Sequence, residues 1–318
     1  MRQLEMDAFR GTVEGAAGGL STRGCVIERK ISLRASSANL SQEARSQPAN
    51  SPERNRLYRV IQDSFNEQMQ LEDLLTTEFT PLHSPHQLIS PRSFFVSPLF
   101  RVGSKKVARS RSVTLELKNS QGAVIFTYNG PELRQSDGLV FMALLNLTRD
   151  IRLGETVSFQ AEDLCRSVFG RYDGPTRQLL QDHIKRLQRA LIEFDRFSVQ
   201  MCLRFDYAAR GAWKVALDKD IVQLFRRSPE VWLDLPLRKS LPEGLTTWLY
   251  AFVESQTKLI PMPLETLRGL CGSDAGPDSF IRMVRLSLKE LTAHGIVDSG
   301  WVLKKGMVSW RKKPLLPR

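Results

Sequence analysis

One order of elements occurs twice in this chain, and that repetition constrains the fold more than any other feature. In the first copy a helix-like "DGLVFMALLNLTRD" precedes a short alternating "ETVSFQ" and a short helix "AEDLCRSVFG". The turn "RYDGP", a longer helix "TRQLLQDHIKRLQRALIEF" and a hairpin of "FSVQMCLRFDY" with "WKVALDKDI" around "AARG" complete it. The second copy runs through "LTTWLYAFVES", the short "PLETLRGLCG", the turn "DAGP", the helix in "GPDSFIRMVRLSLKELTAHGIV" and a closing hairpin, "GIVDSGWVLKKGMVSWRKK". Helix, helix, turn, longer helix and hairpin is the order of a winged helix-turn-helix. The expected fold class is therefore α+β, with tandem winged helix-turn-helix domains preceded by a flexible N-terminal arm. The expected spans are 1–93 for the arm, 94–228 for the first domain and 229–318 for the second, with the linker "RRSPEVWLDLPLRKSLPEGL" marking the break by its prolines and charges.

In each copy the longer helix separates an apolar stripe from a cationic face. In the second, Ile281, Val284, Leu288 and Leu291 recur at three- and four-residue spacing. Asp278 or Ser279 is the expected cap, and Gly295 the expected stop. Arg282, Arg285 and Lys289 share a different face, with Ser279 at its start. In the first, Leu180, Ile184, Leu187 and Leu191 form the stripe, Pro175 suits the helix start, and Arg177, Lys185, Arg186 and Arg189 are left for other faces. The last hairpin adds Lys304, Lys305, Arg311, Lys312 and Lys313, and from Ser279 onward the only acids are Glu290 and Asp298. A cationic helix face taken alone is usually just solvated. Here helix, hairpin and tail are basic together, which favours double-stranded DNA, with the projecting helix free to enter the major groove and the wing on the flanking backbone.

Composition points the same way. In 318 residues Lys and Arg outnumber Asp and Glu 46 to 34, a net charge of +12, and such a surplus suits an anionic partner. No apolar run approaches the ~20 residues that span a bilayer, and "MRQLEMDAFRGTVEG" lacks the apolar block of a secretion signal, so the expected location is cytoplasmic. Cys25, Cys165, Cys202 and Cys271 are too far apart for paired-thiolate metal spacing, and His83 and His86 in "HSPH" have no helical pattern to aim both rings at one ion. No metal or cofactor is expected.

Enzyme chemistry finds little support. No G-x-x-x-x-G-K-[ST] loop occurs, and "GAAGGLSTRG" lacks its Lys-Ser/Thr end. Cys271 continues the stripe of Leu264 and Leu267, the place of a core thiol rather than a nucleophile. Tyr128, Tyr172 and Tyr207 have no metal-binding or Arg cluster of the kind that strand-cleaving tyrosines need.

Upstream, Ser, Gln, Asn, Arg and Pro dominate without a sustained period, too little apolar area to offset chain entropy. One island, "LYRVIQDSFNEQMQLEDLL", has helical spacing at Leu57, Val60, Ile61 and Phe65 and reads as a short helix or docking peptide. A basic link follows near "RVGSKKVARSRS", whose Arg101, Lys105, Lys106, Arg109 and Arg111 suit phosphate contact or a solvated tether equally. Deleting residues 1–90 is expected to leave DNA binding intact.

"IFTYNGPELRQSDGLV", "FGRYDG", "LRKSLP" and above all "PLETLRGLCGSD", followed by the cationic helix and "LTAHGIVDSGWV", resemble the TrfA-type plasmid replication initiators. The resemblance runs from Ser97 to Trp301. It implies tandem winged-helix domains that bind direct repeats (iterons) at a plasmid origin, open the adjacent duplex and recruit host replication proteins. The implied partners are double-stranded origin DNA, single-stranded origin DNA, the host initiator, helicase and sliding clamp, and a second copy of the chain as a stored homodimer. By the same carry-over the second domain is the main DNA reader, Arg282, Arg285 and Lys289 read the iteron, and Arg177, Lys185 and Arg189 support them. Family members can carry a clamp-binding pentapeptide upstream; the nearest candidate is "QLEDLL", with Gln70, Leu71, Leu74 and Leu75 but no aromatic, and the competing reading is a plain amphipathic helix turn. The alternative is a winged-helix transcriptional repressor or copy-number regulator without initiator activity. Such a regulator would usually add a ligand pocket or dimer domain, and beside the two expected domains only the expected flexible arm remains.

Overall fold

The computed structural model describes residues 22–48, 51–81, 84–104, 107–118, 124–208 and 211–313. It opens on two long helices, α1 (Thr22–Ser46) and α2 (Pro52–Glu78). They correct the expectation of a flexible arm over the described part of residues 1–93. α2 starts where the Ser51 side chain accepts from the Arg54 N–H and Pro52 occupies the first turn, both strong start signals. The pair buries a small core of Val26, Leu33, Leu71 and Leu74. Ion pairs Arg29–Glu67 and Lys30–Glu72 and a hydrogen bond from Gln68 to Ser37 do the rest. The island that reads as a short helix lies within α2, whereas the polar cross-helix partners of α1 leave no apolar period there. Val60 and Phe65 of the expected stripe face solvent, while Leu57 is buried. Arg23 anchors the hairpin by donating to the carbonyls of Thr80 and Arg149 at 2.9 and 2.8 Å, over the ring of Phe79.

After β1 (Gln87–Pro91) and the single turn α3 (Arg92–Phe95), the first unit begins with β2 (Val113–Lys118) and β3 (Val124–Gly130). α4 (Gln135–Leu147) is apolar on every side from Gly138 to Leu145 and lies buried at the centre. β4 (Thr156–Phe159), α5 (Ala161–Phe169) and α6 (Gly174–Leu187) follow. Asp173 caps α6, its carboxylate accepting from the Thr176 N–H at 2.7 Å while the Thr176 hydroxyl accepts from the Asp173 N–H at 2.9 Å. β5 (Leu191–Glu193) and β6 (Ser198–Gln200) extend the first sheet in the order β2-β3-β5-β6. The hairpin β7 (Arg204–Asp206) and β8 (Trp213–Ala216) pairs instead with β4, in the order β4-β8-β7.

α7 (Ile221–Arg227), β9 (Glu230–Asp234) and α8 (Leu235–Ser240) link the two units. β9 runs antiparallel to β1, Gln87 opposite Asp234 and Pro91 opposite Glu230. A strand within the expected arm is thus paired with one beyond the expected break at 228, and both boundaries are bridged. The second unit comprises α9 (Leu245–Glu254), β10 (Met262–Pro263), α10 (Leu264–Cys271), α11 (Pro277–Ala293), β11 (Val302–Lys304) and β12 (Met307–Ser309). Its sheet order is β10-β12-β11, the same as in the first unit: the strand after the first helix pairs with the last strand of the hairpin.

The two units also agree position by position. The buried residues of α6 are Thr176, Leu180, His183, Ile184 and Leu187, and those of α11 are Phe280, Val284, Ser287, Leu288 and Leu291, each 104 positions further on (176 to 280, 187 to 291). The inward faces of the two helices therefore correspond one to one. Both units pack on one continuous core, in which the ring of Phe94 lies 5.8 to 6.2 Å from those of Phe100, Phe126 and Phe141.

Candidate nucleic-acid interface

α11 starts at Gly276 with Pro277 in its first turn, and no side chain caps it, which corrects the expected cap at Asp278 or Ser279. The Ser279 hydroxyl instead accepts from Arg282 at 3.2 Å. The helix ends at His294, after which Gly295 takes φ 71°. Phe280 occupies the buried position expected of Ile281, which is only half-buried. Ser287, a polar residue on the inward face, is satisfied by Thr246 of α9 at 2.9 Å. With that face turned to α9, Arg282, Arg285, Leu286 and Lys289 are exposed together. Among the described residues no carboxylate forms an ion pair with Arg282, Arg285 or Lys289.

The β11–β12 hairpin lies in the same unit. Its two-residue loop, Lys305-Gly306, has positive φ at both positions, 51° and 72°, the conformation that matches the twist of a tight hairpin. Lys304, Lys305 and Arg311 are exposed. Lys312 is not free as expected: its ammonium pairs with Glu254 of α9 at 2.7 Å.

The expected first-unit cations divide differently. Arg186 is half-buried and donates Nε to Asp137 of α4 at 2.8 Å, which removes it from the candidate interface. Arg177 lies over the ring of Trp213, 5.1 Å from its centroid, and donates to the Ala208 carbonyl; Lys185 sits 4.5 Å from the centroid of Tyr207. These two cations clasp the β7–β8 hairpin against α6. Arg189 is exposed. At the positions corresponding to Arg282, Arg285, Leu286 and Lys289, the first unit carries Gln178, Gln181, Asp182 and Lys185, and Gln178 donates to Asp182 at 3.0 Å. The outward face of α6 is therefore mostly neutral and self-satisfied, where that of α11 is cationic.

The basic link is structural as well. Arg101 donates to the Gly272 carbonyl at 3.0 Å and pairs with Asp274, so the turn between α10 and α11 is tied to the first unit; the Val102 N–H reinforces this by donating to the Cys271 carbonyl at 2.8 Å. Arg109 pairs with Asp137 and donates to the Glu132 carbonyl at 3.2 Å. Arg111 is exposed, while Lys105 and Lys106 lie outside the described residues. A cavity of about 1220 Å³ between the units is walled by Thr176 and Leu179 of α6, Met283 of α11, and Arg101, Arg134 and Arg238, so the two longer helices border one cleft.

Asp137 holds much of this together. Burial acts to raise its pKa, but the hydrogen bond and charge of His183, with Arg186 and Arg109, outweigh it and keep the carboxyl well below the usual carboxylate range. Of the clamp candidate, Leu71 and Leu74 are 2% and 6% exposed in the core of the α1–α2 hairpin and Leu75 is half-buried; Gln70 alone is exposed. The four do not form an accessible peptide while the hairpin stands. Cys271 is fully buried, and burial pushes its thiol up to about 12; Tyr128 is also buried, its hydroxyl donating to the Pro131 carbonyl at 2.5 Å. His83 lies outside the described residues. Among the described residues no group of three or more His, Cys, Asp or Glu is placed to hold a metal, and no helix is long and apolar enough to cross a membrane. Leu286, central on the α11 face, is the residue that sequence periodicity did not single out; its place three and four residues from Lys289 and Arg282 was the available signal.

The plasmid replication initiator protein TrfA of Escherichia coli is 28% identical over 221 residues, covering 65% of this chain and 57% of that protein, so the chain spans little more than half the length of this relative. In fold, the chain is similar to the crystal structure of domains 2 and 3 of RctB, with a TM-score of 0.50 at 12% identity, covering 70% of this chain and 98% of that one. The TrfA protein family model matches residues 55–311, from within α2 through the α11 face and its hairpin, and the chain belongs to that family.

Proposed function

We propose that this protein is a plasmid replication initiator that binds direct repeats (iterons) at its origin, promotes opening of the adjacent duplex and recruits host replication proteins in the cytoplasm. The observation that carries the reading is the outward face of α11, where Arg282, Arg285 and Lys289 are exposed together beside a basic hairpin. In this reading each unit is a winged helix-turn-helix. α10 and α11 supply the helix-turn-helix of the main reader, with α11 in the major groove and Lys304, Lys305 and Arg311 on the flanking phosphates. The first unit, with fewer free cations on α6, acts as support through Arg189 and its clasped hairpin. The protein acts by binding rather than catalysis, a reading that the burial of Cys271 and Tyr128 favours. Host initiator, helicase and clamp, single-stranded origin DNA and a homodimeric stored form belong to the same proposal as inheritance from the family.

Footprinting on the origin of the protein's own replicon, against unrelated DNA at two salt concentrations, tests it. Protection of spaced direct repeats that survives the higher salt, lost with Arg282→Ala or Arg285→Ala by about 1–3 kcal/mol each, is expected. Equal, salt-sensitive binding to both DNAs overturns it. Protection without protein-dependent maintenance of an origin plasmid supports the regulator instead.

A further inference from the structure

Leu286 is 64% exposed, the most exposed large apolar side chain among the described residues, and it stands in the middle of a charged face. Arg282 lies one turn before it, Arg285 beside it, and Lys289 and Glu290 one turn after, all exposed. Leaving a leucine in water forgoes the stabilisation its burial would supply. A protein-docking patch would surround it with further apolar groups. The corresponding residue in the first unit is Asp182, so the shared architecture does not require an apolar side chain there.

A leucine ringed by cations has a natural counterpart in the DNA major groove. There the phosphate rims are anionic, and the apolar group presented by the base pairs is the thymine 5-methyl. We propose that Leu286 is a specificity-determining residue that packs on the 5-methyl group of a thymine within the repeat, while Arg282, Arg285 and Lys289 hold the helix in the groove. The proposal rests on the repeat-binding reading above and adds to it a base-level preference. Glu290 supports this placement: a carboxylate is repelled by phosphates, so its edge of α11 faces bases.

The test uses the full chain and repeat DNA in which each thymine in turn is replaced by deoxyuridine, which removes the methyl group and nothing else. With the unaltered protein, one position should lose affinity by about fourfold, the contribution of one buried methyl group. Leu286→Ala should bind the unmodified repeat more weakly and respond to deoxyuridine at that position by less than twofold. Because Leu286 is exposed, the variant should fold with an unchanged melting temperature. Two outcomes overturn the thymine contact alone: deoxyuridine has no effect at any position, or the same effect on both proteins, while Arg285→Ala still weakens repeat binding. Absence of repeat binding by the unaltered protein removes the contact together with the reading beneath it.

Discussion

Asp137 and Arg186 meet at 2.8 Å in the first unit, and that pairing decides what the arginine is for. Asp137 has no exposed surface; it also accepts from the backbone N–H of Arg134 at 2.8 Å, meets His183 Nδ1 at 2.6 Å and pairs with Arg109. One carboxylate thus caps α4, fastens α6 to it and holds the basic link. Asp137→Asn leaves the half-buried guanidiniums of Arg109 and Arg186 without their counter-charge and is expected to lower unfolding stability by about 3–5 kcal/mol. Arg186→Ala should lower stability with little change in DNA affinity, whereas Arg285→Ala should do the reverse. Chemical denaturation and DNA titration of the two variants side by side check the assignment, and a DNA-specific loss from Arg186→Ala would contradict it.

The same carboxylate gives stability a pH dependence of definite sign. A folded-state pKa below the unfolded value of about 3.9 means that the stabilisation is fully present above that pH and is lost as pH falls through the folded value. Glu132 adds to this limb: burial raises its pKa, but the hydrogen bond from Arg134, together with the Ser110 N–H and the charges of Arg134 and Arg101, lowers it on balance. The stability gap between the unaltered protein and Asp137→Asn should be constant from pH 7 to about pH 5 and narrow below about pH 4. Denaturant midpoints measured across that range would show it; a gap that does not change with pH would place the stabilisation elsewhere.

The repeated order of elements and the cationic face of α11 were legible in the sequence because both depend on local periodicity. Val284, Leu288 and Leu291 point inward at helical spacing, which leaves Arg282, Arg285 and Lys289 outward whatever the rest of the fold does. What could not be read depends on partners distant in the chain. Arg186 sits on α6 with the same local pattern as a DNA-facing residue, and only the packing of α4 brings Asp137, 49 positions away, beneath it. Arg101 likewise meets Asp274 from 173 positions away. Of the α1–α2 hairpin only the island within α2 carries a readable helical period; its pairing with α1 runs through Arg29–Glu67, Lys30–Glu72 and Gln68–Ser37 beside a small apolar core, and such polar partners mark no period in α1.

Lys305 offers a way to separate folding from DNA contact. It is the only non-glycine among the described residues with positive φ, at 51°, a conformation that strains an L-residue. Lys305→Gly should therefore keep the hairpin and raise stability by up to about 1 kcal/mol. If Lys305 neutralises a phosphate, the same change should reduce the slope of log affinity against log salt by about 1. Thermal melting and DNA titrations at several salt concentrations read the two effects independently, and an unchanged slope would remove Lys305 from the interface.

Truncation tests how far the ordered body extends upstream. A cut that removes residues 1–90 was expected from composition to be harmless, but it deletes most of β1, whose Leu88 and Ile89 are fully buried and whose backbone pairs with β9. Removing two large side chains from the core costs about 2–5 kcal/mol each, and β9 loses its paired neighbour as well. A cut that removes residues 1–81 spares β1 and takes away the α1–α2 hairpin, whose own core of Val26, Leu33, Leu71 and Leu74 is separate from the main one. The shorter deletion should keep a cooperative melt and repeat binding; the longer one should lose both. Equal behaviour of the two proteins would show that the β1–β9 pair does not support the body that carries α11.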